Sequence, residues 1–135
     1  MNRTIYVILI IIAIAVGVIL MLNIKEQYIE NEGIIKHVSM DEIVQIMNEN
    51  TDYIILDVRT IAEYNEGHIP NAICIPNETI DENVVNKLPD KNQMILVYCR
   101  SGNRSKQAAE KLKKLGYTNL IEFGGIIDWK GKIER

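Results

Sequence analysis

The chain has 135 residues and a formal net charge of −3 at pH 7, which leaves room for one modest domain and an appendage. An acidic balance without a prominent basic stripe argues against nucleic acid as a partner. The two cysteines, Cys74 and Cys99, do not form the clustered pattern of a disulfide framework or a zinc site. The composition therefore implies no metal, and nothing in it calls for a cofactor.

The first feature along the chain is an apolar run from Ile5 to Leu22 that contains no charge and no proline. Its eighteen residues are close to the minimum for a membrane-spanning helix. The run is apolar on every side, which disfavours a core helix of a domain this small. It predicts an N-terminal transmembrane anchor over residues 1–24, followed by residues 25–33 as a short stalk or helix tail. A cleaved signal peptide remains the alternative.

The charges beside this run predict its orientation in a membrane. Arg3 and the α-amine precede it, whereas one lysine and several acidic residues follow it, namely Lys25, Glu26, Glu30 and Glu32. Because positive charge is enriched on the cytoplasmic side of spans, the N-terminus is expected in the cytoplasm. The domain that follows is then expected outside the cytoplasm.

After residue 33, short apolar runs alternate with segments of helical period. The predicted strands cover residues 34–38, 53–56, 72–75, 94–98 and 119–122. Strands that alternate with helices at this spacing predict an α/β fold, with a small parallel β-sheet covered by helices on both faces. Ligands of such sheets bind at the carboxyl ends of the strands, where Asp57 and Cys99 are both expected.

Four helices are predicted between these strands. The first follows a capping box from Ser39 to Glu42, the second covers residues 60–66, the third covers residues 77–88, and the fourth follows Ser105. The apolar positions of the first are Ile43, Val44, Ile46 and Met47. The third is expected to turn inward Ile80, Val84, Val85 and Leu88.

The stretch with the clearest chemical signal begins where the fourth strand stops at Cys99. Small residues and residues that tolerate left-handed backbone follow, and they can turn consecutive N–H groups inward to hold an anion. The next helix adds the positive end of its dipole, and Arg100 and Arg104 add cations. A cysteine pKa of about 8.5 falls to roughly 3.5–7.5 in such surroundings. Cys99 is thus predicted to be a thiolate rather than an inert core cysteine.

Several motifs occur together in a fixed order. They are Asp57-Val58-Arg59, Glu63-Tyr64, Gly67-His68-Ile69-Pro70-Asn71-Ala72, Cys99-Arg100-Ser101-Gly102-Asn103-Arg104-Ser105, and Gly124-Gly125 with Trp129. With these motifs, residues 34–135 resemble a single-domain rhodanese, a module similar to thiosulfate sulfurtransferase. Two positions depart from the family pattern: Asn71 replaces a usual glycine, and Ile126 replaces a frequent aromatic residue.

The resemblance implies a double displacement through a persulfide on Cys99. A small anionic donor such as thiosulfate would give its outer sulfur to this residue, and cyanide or a thiol would accept it. The residues implied to bind the donor are Arg100, Ser101, Gly102, Asn103, Arg104 and Ser105. Supporting roles are expected for Asp57 and Arg59, which would bond loop backbone or Glu63, and for His68, which would fix its turn. Cys74 and Trp129 are expected to pack.

Two other functions compete with sulfur transfer. A rhodanese-like phosphatase or arsenate reductase would also use a cysteine cradled by N–H groups and an arginine. Enzymes of that group place five residues between the cysteine and the arginine, whereas four separate Cys99 from Arg104. The second competitor is a module without turnover that carries persulfide or docks a partner at the membrane.

Overall fold

The computed structural model describes residues 2–30 and 33–135, which fall into an N-terminal unit and a domain that begins at Gly33. The N-terminal unit is one helix, α1, Arg3–Glu30. Residues 3–27 of α1 are long and apolar enough to cross a membrane, and a signal sequence meets the same criteria. Helix α1 includes residues 25–30, so this part of the expected segment is a helix tail. Residues 31 and 32 of that stalk lie outside the described residues.

The domain is built on a sheet of five parallel strands. These are β1 Ile34–His37, β2 Tyr53–Asp57, β3 Ile73–Cys74, β4 Met94–Cys99 and β5 Asn119–Gly125, in the spatial order β1-β5-β4-β2-β3. The helices between them are α2 Met40–Glu49, α3 Ile61–Glu66 and α4 Asn103–Lys114. The predicted fold class, a small parallel sheet flanked by helices and preceded by one long apolar helix, is confirmed.

The central strand β4 shows why both faces of the sheet are covered. Successive side chains of a strand point to opposite faces. Val97 and Cys99 belong to an apolar cluster that includes Ala108 and Leu112 of α4, whereas Tyr98 belongs to the opposite cluster, which includes residues of α2. All of β4 after its first residue is buried, as expected for a strand covered on both sides.

The prediction of a helix over residues 77–88 is wrong. Two short 3-10 turns occur instead, Asn77–Thr79 and Glu82–Asn86, separated by extended backbone at Ile80. The carboxylate of Asp81 accepts a hydrogen bond from the N–H of Asn83 and thereby starts a new turn, a local bond that competes with helix. Ile80 is buried as predicted, but Val85 is exposed.

Smaller corrections concern element ends and one apolar residue. Val44 of α2 is exposed, although Ile43 of the same helix is fully buried. The third strand is shorter than expected, β5 runs on to Gly125, and α4 begins at Asn103 rather than after Ser105. The earlier start follows from Gly102, whose φ of 106° lets the chain turn into the helix directly after the loop.

Candidate functional site

The candidate site lies where β4, β5 and β2 end at one edge of the sheet. Cys99 is the last residue of β4, and it lies opposite Gly125, the last residue of β5. Asp57 ends β2 next to Tyr98 of β4. Parallel strands bring their carboxyl ends to the same edge, so residues far apart in sequence meet here.

Cys99 is at the base of the loop that connects β4 to α4, with 1% of its surface exposed. The N–H of Gly102 donates a hydrogen bond to Sγ at 3.0 Å, and the hydroxyl oxygen of Ser105 lies 3.5 Å from Sγ. Burial alone would raise the pKa of the thiol, but hydrogen bonds from the Ser105 side chain and from loop N–H groups bring the pKa below its ordinary value. These N–H groups belong to Ser105, Gly102 and Ser101.

The two consecutive glycines after β5 give this loop its space. A Cβ atom at Gly125 would lie 2.0 Å from the carbonyl oxygen of Arg100 and 2.6 Å from the Cα of Ser101. Gly124 has a φ of 88°, in the left-handed region that favours glycine. The N–H of Ile127 donates to the Arg100 carbonyl at 3.3 Å and ties the loop to the chain after the glycine pair. The glycines therefore allow the loop to sit directly on β5.

The two arginines of the loop lie in different settings. Arg104 forms a bidentate ion pair with Glu63 of α3, with both N–O distances 2.8 Å. This pairing, chiefly through the hydrogen bonds from Arg104, lowers the pKa of Glu63 to about 2. Arg100 is exposed at the loop surface. The carboxylate of Glu63 thus orients Arg104, which lies near Cys99, whereas Arg100 faces solvent.

Asp57 and Arg59 form a buried ion pair next to this edge. The guanidinium donates to both carboxylate oxygens of Asp57, at 2.6–3.0 Å, and also to the carbonyl of Gly67 at 2.7 Å. The hydroxyl of Tyr98 donates to Asp57 at 2.6 Å. Burial and this bond raise the pKa of Tyr98. The expected bond from Arg59 to loop backbone is present, but Glu63 pairs with Arg104 instead.

The other expected supporting residues lie in their own local surroundings. The ring of His68 stacks on Tyr64 with centroids 3.7 Å apart, and its Nδ1 lies 2.9 Å from the Tyr64 carbonyl oxygen. Cys74 is half-buried, its thiol donates to the Arg59 carbonyl at 3.6 Å, and burial raises its pKa to about 11. Trp129 packs against the sheet and donates to the Lys132 carbonyl.

The remaining loop residues divide by exposure. Ser101 and Asn103 are exposed, but Ser105 is completely buried beneath the loop. Its hydroxyl oxygen lies 2.9 Å from the Gly102 carbonyl oxygen and 2.5 Å from Oε1 of Glu122. Ser105 therefore supports the loop from behind and does not line an open surface.

Glu122 and His37 were not anticipated from the sequence. Glu122 is buried in β5 behind Cys99, and its second oxygen lies 2.9 Å from Nδ1 of His37 in β1. The one available signal was an acidic residue in an otherwise apolar strand. Such a residue needs a buried partner, but the spacing along one strand does not identify that partner.

Known proteins share the sequence pattern of this domain. The model of the Rhodanese-like domain matches residues 39–132. The chain is 40% identical over 73 residues to Thiosulfate sulfurtransferase PspE of Escherichia coli, covering 54% of this chain and 70% of that protein. It is 33% identical over 96 residues to a protein named Sulfurtransferase of Allochromatium vinosum, covering 70% of this chain and 88% of that protein.

A third relative is a Bacillus subtilis protein, YrkF, whose name describes it as a candidate sulfur carrier protein. It is 37% identical over 106 residues, or 78% of this chain, and the match spans 56% of its own length. Among solved structures, a rhodanese with anions from E. coli superposes with a TM-score of 0.57 at 35% identity, covering 62% of this chain and 98% of that one. A Rhodanese-like domain from Anabaena superposes with a TM-score of 0.66 at 27% identity, and the match covers 73% of this chain and 77% of that one.

Proposed function

Because the chain belongs to the Rhodanese-like domain family, we propose that it is a sulfurtransferase that works through a persulfide on Cys99. The donor is thiosulfate or another small anionic carrier of sulfane sulfur, and the acceptor is cyanide or a thiol. The observation that carries this proposal is the 3.0 Å hydrogen bond from the Gly102 N–H to Sγ, within a loop that lowers the pKa of the thiol. Relatives named for sulfur transfer support the same reaction class.

The reaction has two steps. In the first, the Cys99 thiolate attacks the outer sulfur of the donor, a sulfur–sulfur bond forms at Cys99, and the donor's own sulfur–sulfur bond breaks. When the donor is thiosulfate, the part that remains after its outer sulfur is transferred leaves as sulfite. In the second, the acceptor attacks the outer sulfur of the persulfide, and the Cys99 thiolate is regenerated. Loop N–H groups stabilise the negative charge at each stage.

The cations of the loop account for a negatively charged donor. We assign the exposed Arg100 to attract it and Arg104, held in place by Glu63, to orient it, with the N–H groups of Ser101, Gly102 and Ser105 around the reacting sulfur. The superposed E. coli rhodanese, which is described with anions, supports an anion site in this fold.

Asp57, Arg59 and His68 are assigned structural roles. Asp57 and Arg59 connect the end of β2 to Tyr98 and to the turn at Gly67. His68 fixes that turn through its contacts with Tyr64 and with the C-terminal segment, whose Glu134 exchanges backbone hydrogen bonds with it at 2.9 Å. These contacts connect Asp57, Arg59 and His68 to neighbouring parts of the protein.

A second candidate function is a persulfide carrier without turnover of small donors. The observation in its favour is the similarity to the B. subtilis protein whose name describes a candidate sulfur carrier. The match covers 56% of that protein, so the name describes a longer chain than the part matched here. A carrier would keep the persulfide on Cys99 until a protein partner removed it.

The decisive experiment treats the purified protein with thiosulfate and measures two quantities. Mass spectrometry is expected to find one additional sulfur atom on Cys99, and cyanide is expected to remove this sulfur with repeated formation of thiocyanate. Persulfide without turnover would support the carrier instead. Phosphatase or arsenate reductase turnover without any persulfide would exclude both sulfur functions.

We also propose that α1 anchors the domain in a membrane, with the N-terminus in the cytoplasm and residues 33–135 outside. This rests on the length and apolar character of α1 and on the position of Arg3 before the apolar run. A protease added to intact cells is expected to degrade the domain while a cytoplasmic marker survives. Protection of the domain until the cells are lysed would reverse the orientation.

A further inference from the structure

A chain of polar contacts runs from Cys99 through the interior of the domain to its surface. Sγ lies 3.5 Å from the hydroxyl oxygen of Ser105, and that oxygen lies 2.5 Å from Oε1 of Glu122. Oε2 of Glu122 lies 2.9 Å from Nδ1 of His37. Ser105 and Glu122 are buried, whereas the side chain of His37 is 54% exposed. These contacts therefore connect the sulfur to solvent along the face of the sheet that α4 covers.

The Ser105 hydroxyl has fewer hydrogens to donate than it has acceptor oxygens around it. Its hydroxyl carries one hydrogen, but it has two close acceptor oxygens, the Gly102 carbonyl at 2.9 Å and Glu122 Oε1 at 2.5 Å, and a third, the Gly124 carbonyl, at 3.3 Å. A carbonyl oxygen can only accept. If Glu122 were a carboxylate, one of these contacts would bring two oxygens together without a hydrogen between them. A proton on Oε1 supplies the hydrogen of the closest contact, since it donates to Ser105 and frees the Ser105 hydrogen for the Gly102 carbonyl or for Sγ.

The charges around the site favour the same arrangement. A thiolate on Cys99 and a carboxylate on Glu122 would be two negative charges separated by one hydroxyl oxygen in a buried place, where they repel. Arg104 is already paired with Glu63, and Arg100 is exposed on the loop. Oε1 of Glu122 also accepts the N–H of Gly124 at 2.9 Å, and the ring of His37 lies at Oε2, while α4 contributes the apolar Ala108 to this face of the sheet.

We infer that Glu122 is the proton partner of Cys99 and that one proton is shared between them through Ser105. When the thiol ionises, its S–H bond breaks and the proton bonds to Ser105 Oγ, while the original Ser105 hydrogen passes to Glu122 Oε1. The negative charge moves from the carboxylate to the sulfur, and no electrons are transferred. His37 holds the other carboxylate oxygen and links it to solvent. Glu122 is thus a positioning residue that acts through Ser105.

The use of this proton in catalysis rests on the proposed function. The inference predicts what happens to the proton when Cys99 is converted to a persulfide. Once Sγ bonds to another sulfur atom, it no longer bears the negative charge that kept the proton on Glu122. The carboxyl group can then release that proton through His37. Blocking Sγ by alkylation has the same effect on its charge, so the proton can be followed without any sulfur donor.

The test uses the full chain in a maltoside detergent, which has no carbonyl group, at neutral pH. Iodoacetamide alkylates Cys99, and infrared difference spectra are recorded between the alkylated and the resting protein. We expect a negative band in the protonated-carboxyl region, because the Glu122 proton leaves. The band should be lost in Glu122→Gln and kept in Glu110→Gln, which changes an exposed glutamate of α4. Cys74→Ser should keep it as well.

A wild-type spectrum without that band would overturn the inference, and so would a band that persists in Glu122→Gln. The wild-type measurement alone can refute it if Glu122→Gln fails to fold, and Cys99→Ala, which should also lack the band, provides a second variant. The thiosulfate experiment remains independent of this result. Sulfur transfer without the band removes only the proton partner, and the band without sulfur transfer removes only the proposed function.

Discussion

Replacing Cys99 with serine is expected to abolish persulfide formation and to lower sulfur transfer to cyanide by about a thousandfold or more. The hydroxyl fits in place of the thiol, but it stays protonated where the loop keeps the thiol pKa low. Oxygen also cannot form the sulfur–sulfur bond that stores the transferred atom. The measurements are thiocyanate formation and the mass of the thiosulfate-treated protein.

Cys74→Ser is the matched control for this prediction. Burial raises the pKa of Cys74 to about 11, so it is a protonated thiol at neutral pH, and it lies on β3 rather than in the loop. We expect this variant to transfer sulfur at close to the wild-type rate. Undiminished activity in Cys99→Ser, or a persulfide found on Cys74, would contradict the assignment.

The second large effect concerns stability. Asp57→Ala in a fragment of residues 33–135 is expected to lower the free energy of unfolding by about 3–5 kcal/mol. The change leaves the guanidinium of Arg59 buried without its carboxylate and removes the acceptor of the Tyr98 hydroxyl. Domains are stable by only about 5–15 kcal/mol, so the loss is a large part of the total. Urea unfolding followed by circular dichroism measures it.

Glu110→Ala is the comparison for Asp57→Ala. It removes an exposed carboxylate from α4, and surface changes of this kind usually stay within about 0.5 kcal/mol. Equal unfolding midpoints for the two variants would show that the buried pair contributes little. Loss of activity in Asp57→Ala at unchanged stability would indicate a direct chemical role for Asp57 instead of a structural one.

Local patterns were sufficient for the sheet because each strand is a short apolar run. The run before Cys99 identified β4 and its end, and the alternation of strands with helices then indicated parallel pairing. The third helix failed because its apolar spacing resembled that of a helix while Asp81 favoured a separate turn. Hydrophobic period does not record such local hydrogen bonds.

The site shows a different limit. Cys99 and its loop were identifiable because the cysteine, a glycine and two arginines lie close together in the sequence. The pairing of Arg104 with Glu63 spans 41 residues, and that of His37 with Glu122 spans 85. Such pairs depend on strand order and register, and both are properties of the complete sheet. For this reason the sequence did not identify Glu122, the carboxyl group that lies close to Cys99 in the fold.

The near-complete burial of Cys99 constrains which atom of a persulfide an incoming thiol can reach. Only 1% of the Cys99 surface is exposed, and Sγ, which would be the inner sulfur, is in contact with Gly102 and Ser105. Attack there would produce a mixed disulfide and expel hydrosulfide. In the proposed persulfide, attack is therefore expected at the terminal sulfur, because the cover over Sγ hinders attack at the inner one. In the proposed reaction, the cover that hides the cysteine would thereby prevent the protein from being trapped as a mixed disulfide with the acceptor.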